Sequence, residues 1–301
     1  MQWFKNVMVY RLTKTIDLSE QTVSKALQAQ AFHPCGKHDL SHFGWFAPLA
    51  GSDELLFAHA GRLFLIAQKE EKILPAAVVK KAFEERLFER EDQEQRKLSK
   101  VEKQALKDDV VHSLLPQAFS KHQQTALFID PAAGFIFINA ASATRAEATL
   151  ALLRKSLGSL PVVPLAFINE PSAVMTAWIA NDELPAWLNT LGEAELISSR
   201  DESVIRCKQQ ELDSDEIQAH FNAGKVVSKL ALDWENRLSA VLANDASLKR
   251  IKFSDHLRQQ NDDIVKEDVQ QRFEADFLLM SDTLLTFITQ LRDEFGGVLE
   301  N

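Results

Sequence analysis

The residues of this chain best suited to chemistry are clustered histidines, scattered carboxylates and paired cations. His33, Cys35, His38 and His42 are side-chain types that suit zinc, but their spacing fits no common zinc pattern. Their ordinary reading is solvated histidines on a loop beside a helix start, so no metal is assigned. Asp130, Asp233 and Glu235 could hold magnesium in a nuclease. They are scattered, however, and lone acids on an acidic chain mostly serve solubility. Gly224-Lys225 hints at a phosphate loop, yet Ala219 stands where the earlier glycine is needed and no Ser or Thr follows the lysine. Neither G-x-S-x-G nor H-E-x-x-H occurs. The expectation is a protein that is not an enzyme, with no catalytic residue and no cofactor.

The cations say more. Arg96, Lys100, Lys103 and Lys107, with Lys97 beside them, recur at steps of four, three and four. At ~100° per residue the four fall within about 60° of arc on a helix, with Leu98, Val101 and Ala105 expected on the packing side. Glu102 is the only acid between Arg96 and Lys107. The competing reading is a solvated helix face paired to neighbouring glutamates. Strand alternation adds three pairs: Arg206 with Lys208, Lys225 with Lys229, and Arg250 with Lys252, each opposite an apolar face. One lysine pair would mean little, because edge strands use Lys against aggregation. Three pairs on one sheet would make a cationic surface that faces phosphate. No reading helix for the major groove and no aromatic RNA-binding pattern accompanies them. Binding to the nucleic-acid backbone, without sequence preference, is the expectation.

The elements that must position these residues follow from periodicity. Strands are expected at Trp3–Leu12, Phe43–Leu49 and Leu63–Gln68, with a helix at Leu18–Gln30. Pro75 to about Leu115 is charged and helical, with stripes at Val79, Phe83 and Leu87 and then Leu98, Val101 and Ala105, broken near Glu91–Gln95. Thr125–Asp130 and Phe135–Ala140 read as a hairpin. Thr144 and Glu147 fit a capping box for a helix that Gly158 ends. A strand at Val162–Ile168 and a helix at Ala173–Ile179 follow. Next come a strand at Val204–Gln210 and a helix that starts near Asp213 and Glu216. Val226–Trp234, Leu238–Ala243 and Leu248–Phe253 read as antiparallel strands, and Glu267–Phe295 as a long amphipathic helix. The fold class is α+β, multi-lobed, with mixed or antiparallel sheets and a protruding helical lobe. The expected division is a central lobe from 1–74 and 118–170, a helical tip at 75–117, a base lobe at 171–265 and a C-terminal helix in 266–301.

Bulk composition bounds this picture. The chain has 301 residues, 46% hydrophobic and 26% charged, ordinary for a globular protein with a sizeable core. The net charge of −9 argues against nucleic acid unless cations are concentrated in one place. The two cysteines, Cys35 and Cys207, are too few for a disulfide framework and read as reduced, packed thiols. The N-terminus lacks a signal-peptide core, and no apolar run approaches a membrane span.

Several long segments resemble one family. They are WFKNVMVYRL from Trp3, KEEKILP at Lys69–Pro75, HSLLPQAFS at His112–Ser120 and LALLRKSLGSLPVVPL at Leu150–Leu165. GKVVSKLALDW at Gly224–Trp234, SLKRIKF at Ser247–Phe253 and QRFEADFLLM at Gln271–Met280 continue the series. Together they resemble RdgC proteins over nearly the whole chain, least so at Pro171–Asp201. The resemblance implies a cytoplasmic, nucleoid-associated protein of proteobacteria that forms a ring-shaped homodimer. It implies binding to single- and double-stranded DNA and restraint of RecA-promoted recombination, with RecA itself a possible partner. It also implies that Phe119 falls at the contact made by the protruding lobe. The competing reading of Phe119 is a buried core phenylalanine.

Overall fold

The computed structural model describes residues 1–261, 264 and 268–300. Its first part runs β1 (Met8–Leu12), α1 (Glu20–Gln28), β2 (Ser41–Phe46), β3 (Leu56–His59), β4 (Arg62–Ile73), α2 (Ala76–Glu94) and α3 (Lys100–Leu114). A 3-10 turn, Leu115–Gln117, leads to β5 (Phe119–Asp130), β6 (Phe135–Ile138), α4 (Ala143–Leu157) and β7 (Val162–Pro164). The second part runs α5 (Pro171–Ala180), β8 (Leu188–Ser198), β9 (Val204–Lys208), α6 (Asp215–Asn222) and β10 (Lys225–Trp234). It continues with β11 (Leu238–Ala243), β12 (Leu248–Phe253), α7 (Asp255–Gln259) and α8 (Val269–Glu294). Glu267, the expected start of the last helix, and the 265/266 boundary lie outside the described residues.

Among the described residues there are two sheets, ordered β2-β4-β5-β6-β1-β7 with β3 also on β4, and β12-β11-β10-β8-β9. Every strand pairing within them is antiparallel, so the α+β class holds without a mixed sheet. The run Leu63–Ala67 is apolar without alternation because the first sheet is covered on both faces. Leu63, Leu65, Leu127 and Ile129 pack with Val23 and Leu27 of α1 and Leu150 and Leu153 of α4. Phe64 and Phe128, pointing the other way, meet Phe277 of α8 at centroid distances of 5.3 and 6.0 Å.

Helix α8 also serves the second sheet, where Phe287 meets Trp234 at 5.3 Å. It is therefore wrapped by apolar contacts on more than one side, and Ser281 and Thr283 are buried with its phenylalanines. A helix wedged between two sheets needs a wider apolar surface than a single stripe. Val269, expected in that stripe, is exposed, and Phe287 is buried in its stead.

Strands β4 and β5 stay paired from Gln68 with Gln124 to Ile73 with Phe119; β2 flanks β4 as far as Ser41 opposite Glu71, and the pairs Lys72–Ser120 and Ile73–Phe119 extend beyond it as a short two-stranded ribbon. Helices α2 and α3 join the ends of that ribbon. Three expectations are corrected here. The N-cap of α4 is Ser142, not Thr144, and Glu147 accepts a hydrogen bond from the Tyr10 hydroxyl at 2.9 Å. Val101 is 79% exposed and Ala105 is exposed, while Leu106 and Val110 are buried. The phase was set from Leu98, which precedes α3 and does not share its helical rotation. Phe119 is 84% exposed, which overturns the core reading.

Candidate nucleic-acid interface

One face of the second sheet is covered. Leu196, Val227, Leu230 and Trp234 belong to the core that α5, α6 and α8 complete. Its other face carries charge. On β9, Cys207 is buried, while Arg206 and Lys208 are exposed and lie opposite Glu195 and Glu193 of β8. On β10, Lys229 also lies opposite Glu195. A depression of about 480 Å³ opens here, lined among others by Asn6, Arg206, Lys208, Lys229, Lys249 and Arg250, with Val241 contributing apolar wall.

Two bulges decide which cations reach it. Val227 pairs with Leu196 and Lys229 with Glu195, so two steps on β10 match one on β8. Ser228 is the extra residue, and it reverses the face parity. Lys225 opposite Ser198 therefore shares the side of Val227 and Leu196, and Lys225 and Lys229 do not share a face as expected. The Lys225 ammonium instead donates to Ser203 Oγ at 2.6 Å. On β12, Lys249 pairs with Val241 and Lys252 with Ser239, three steps against two. Arg250 absorbs the difference with a left-handed φ of 53°. Simple alternation put Arg250 with Lys252; the bulge puts Lys249 there, a cation that sequence reasoning missed. Arg250 still reaches the depression, and its backbone N–H is held by Asn6 Oδ1 at 3.1 Å.

The cations are tethered from below. Glu195 accepts from Arg206 Nε at 2.9 Å and Lys229 Nζ at 2.7 Å, and Glu193 pairs with Arg250 Nη2 at 2.7 Å. The hydrogen bond from Lys229, followed by that from Arg206, holds the Glu195 carboxyl down at about 2, against burial that raises it. No carboxylate pair is formed by Lys208 or Lys249 among the described residues. Sequence reasoning missed both glutamates because β8 itself was missed. Its run LNTLGEAELIS alternates poorly, broken by Gly192 at φ +64°.

The expected helical ridge is not one helix face: Arg96 and Lys97 lie in the link before the N-cap Ser99, with Lys100, Lys103 and Lys107 on α3, and none of the five lines the depression. Arg96 pairs with Glu94 and Glu102, both at 2.6 Å, while Glu91 takes Lys97 at 2.6 Å and Lys103 at 3.3 Å. Glu102 also closes a capping box with Ser99. Lys100 and Lys107 are exposed and carry no carboxylate pair among the described residues. Lys252 is exposed on the second sheet but does not line the depression.

The other candidates do not converge. His33 stacks on His42 at 3.5 Å and His38 on His112 at 4.1 Å, so ring faces rather than nitrogens meet. No group of three or more His, Cys, Asp or Glu able to hold a metal ion exists among the described residues. Asp130 is buried against Arg62 at 2.8 Å, and Asp233 caps the turn at Asn236. Cys35 and Cys207 are free thiols. No described helix is long and apolar enough to cross a membrane.

Fold and site together define an antiparallel α+β protein with a cation-lined, carboxylate-tethered sheet face. A family model described as "Putative exonuclease, RdgC" matches residues 2–298. A protein named "Recombination-associated protein RdgC" from Pasteurella multocida is 58% identical over 297 residues, covering 99% of this chain and 98% of that one. Proteins of the same name from Actinobacillus succinogenes (56% over 297 residues, 99% and 98% covered) and Haemophilus influenzae (58% over 296 residues, 98% and 98% covered) are similar throughout. The chain belongs to the RdgC family.

Proposed function

We propose that this chain binds DNA, double- or single-stranded, through backbone phosphates and without sequence preference. The observation that carries the reading is the depression on the second sheet, where Arg206, Lys208, Lys229, Lys249 and Arg250 gather on a chain of net charge −9. Local concentration of cations, not overall charge, is what phosphate binding requires. The names of the relatives connect the family to recombination. On this reading the protein occupies DNA in the cytoplasm, at the nucleoid, and so restrains RecA; direct contact with RecA is a further route.

The proposal includes a homodimeric ring. The 75–117 tip and the 171–265 base act as its two contacts, the 1–74 and 118–170 segments span between them, and the 266–301 helix braces both. Exposed Phe119 lies directly opposite exposed Ile73 on the ribbon, an apolar pair suited to a self-contact. The bore is then lined by the depression, with Lys225 and Lys252 at its margins and the ridge residues Arg96, Lys97, Lys100, Lys103 and Lys107 as a secondary surface.

Affinity for labelled oligonucleotides should fall steeply with salt, with a log–log slope of about −0.9 per phosphate neutralised on duplex. Lys208→Ala with Lys229→Ala should weaken binding to all sequences alike and flatten the slope by roughly one unit per lost contact. Lys14→Ala and Lys25→Ala are controls that should do little. Equal losses in both sets would refute the interface. The family description favours a second reading, an exonuclease. It requires end-labelled DNA to be shortened with Mg²⁺ or Mn²⁺, and activity lost on replacing Asp130 or Asp233; intact DNA is expected.

A further inference from the structure

The same face carries carboxylates that a simple phosphate cradle has no use for. Glu193 and Glu195 project into the cation array from β8, between β9 and β10. We propose that they are affinity-limiting residues, built-in competitors that hold the cations in place while subtracting from their pull on DNA. This rests on the DNA-binding reading above.

The geometry is layered. The Glu195 side chain is 16% exposed and that of Arg206 is 71% exposed, so the carboxylate sits at the floor and the guanidinium at the rim. Arg206 engages Glu195 through Nε, and no hydrogen bond among the described residues engages its two terminal amino groups. The single hydroxyl proton of Ser228, the bulge residue, is shared between the Glu195 carbonyl at 3.0 Å and Glu195 Oε1 at 3.2 Å, which helps to fix the acid in position. A phosphate can therefore bind the rim cations without breaking the pairs beneath. It does so within range of an unreleased negative charge, and like charges at such distances repel even at high effective dielectric. Lys208 and Lys249 supply attraction that this pairing does not offset. The array is thus rigid but moderate in strength, suited to DNA that must be let go again.

The test measures the affinity of the full-length protein for a labelled duplex and a labelled single strand, from about 50 to 300 mM NaCl. Glu195→Gln preserves shape and the hydrogen bond from Ser228 but removes the charge. It should bind about three- to tenfold tighter at fixed salt, with a steeper log–log slope. Glu193→Gln, which frees only Arg250, should give a smaller gain of about two- to threefold. Arg206→Ala should cost more in the Glu195→Gln background than alone. A merely structural role predicts the opposite sign: loosened cations and weaker binding. Unchanged or weaker binding by both glutamine variants, with Lys208→Ala still harmful, overturns this proposal and leaves the DNA reading standing. Should Glu195→Gln fail to fold, Glu193→Gln decides alone. If Lys208→Ala and Lys249→Ala also leave binding unchanged, both readings fall.

Discussion

Among the described residues, cations gather on the tip and on the second sheet, and the two gatherings are built in opposite ways. On the tip, Arg96, Lys97 and Lys103 are tied to Glu91, Glu94 and Glu102 from the end of α2 and the start of α3. Those pairs join one helix to the other, and the cations left over, Lys100 and Lys107, stand on an exposed helix surface. On the second sheet, cations from β9, β10 and β12 converge on one depression. A helix is convex and spreads its charges, whereas a bulged, twisted sheet gathers them. Regular spacing of like charges along a helix is thus weaker grounds for a site than irregular spacing across bulged strands.

The sharpest break in this comparison comes from Phe119, at the start of β5 where the tip joins the first sheet. If the tip serves self-association and the sheet serves DNA, Phe119→Asp should weaken the dimer on the order of 100-fold, as loss of a central anchor does. Sedimentation equilibrium at micromolar concentration reads it. Binding of a short oligonucleotide by each protomer should persist. A variant that remains fully dimeric would remove Phe119 from the contact.

Next in size is the contrast in cation substitutions. Lys208→Ala with Lys249→Ala should cost about 10- to 100-fold at near-physiological salt, because both cations face the depression without an offsetting carboxylate. Lys100→Ala with Lys107→Ala should cost no more than about threefold. Equal losses in a salt-titrated anisotropy assay would mean that DNA tracks along both regions. A smaller effect separates the two faces of the sheet itself. Lys225→Ala should change affinity less than about twofold, since Ser203 holds its ammonium outside the depression. A loss as large as that of Lys229→Ala would show that the Ser228 bulge does not divide the two in solution.

What the sequence disclosed follows the same division. Where an element obeys one simple period, it was legible: Leu238–Ala243 and Leu248–Phe253 were expected with the bounds observed, and β10 differs only by Lys225. A break between α2 and α3 was expected too, but near Glu91–Gln95; α2 runs on to Glu94 and the break falls at 95–99. Illegible were the features that interrupt a period. Ser228 and Arg250 look like ordinary strand residues, and nothing in their types announces a bulge. The strand segments Gln68–Ile73 and Phe119–Gln124 are mostly polar, and Gln68 and Glu70 are buried there by distant chain segments, Cys35 donating its N–H to Glu70 at 2.8 Å, so they gave no alternation to read. The pairs between α2 and α3 bear out the competing reading of a helix face paired to neighbouring glutamates, with Glu91 and Glu94 supplied from the preceding helix. Each of these is a long-range or register effect, set by neighbours and not by local composition.

The smallest expected effect concerns acid. Glu195 is held at about 2, first by the hydrogen bond from Lys229 and then by that from Arg206, whereas an unfolded glutamate titrates near ~4.3. A carboxyl depressed on folding stabilises the native state above its unfolded value, and that contribution is lost as pH falls toward the folded one. Wild-type protein should therefore melt a few degrees above Glu195→Gln at pH 7, with the gap closing between about pH 5 and pH 2. The DNA affinity gained by Glu195→Gln should behave otherwise and stay constant from about pH 5.5 to pH 8, because the carboxylate remains ionised throughout that range. Thermal melts and binding isotherms on the same samples separate the two. If the melting gap widens on acidification, Glu195 is not the ion-paired carboxylate described here. If the affinity gain instead vanishes at pH 5.5, the charge that limits DNA binding resides on another group.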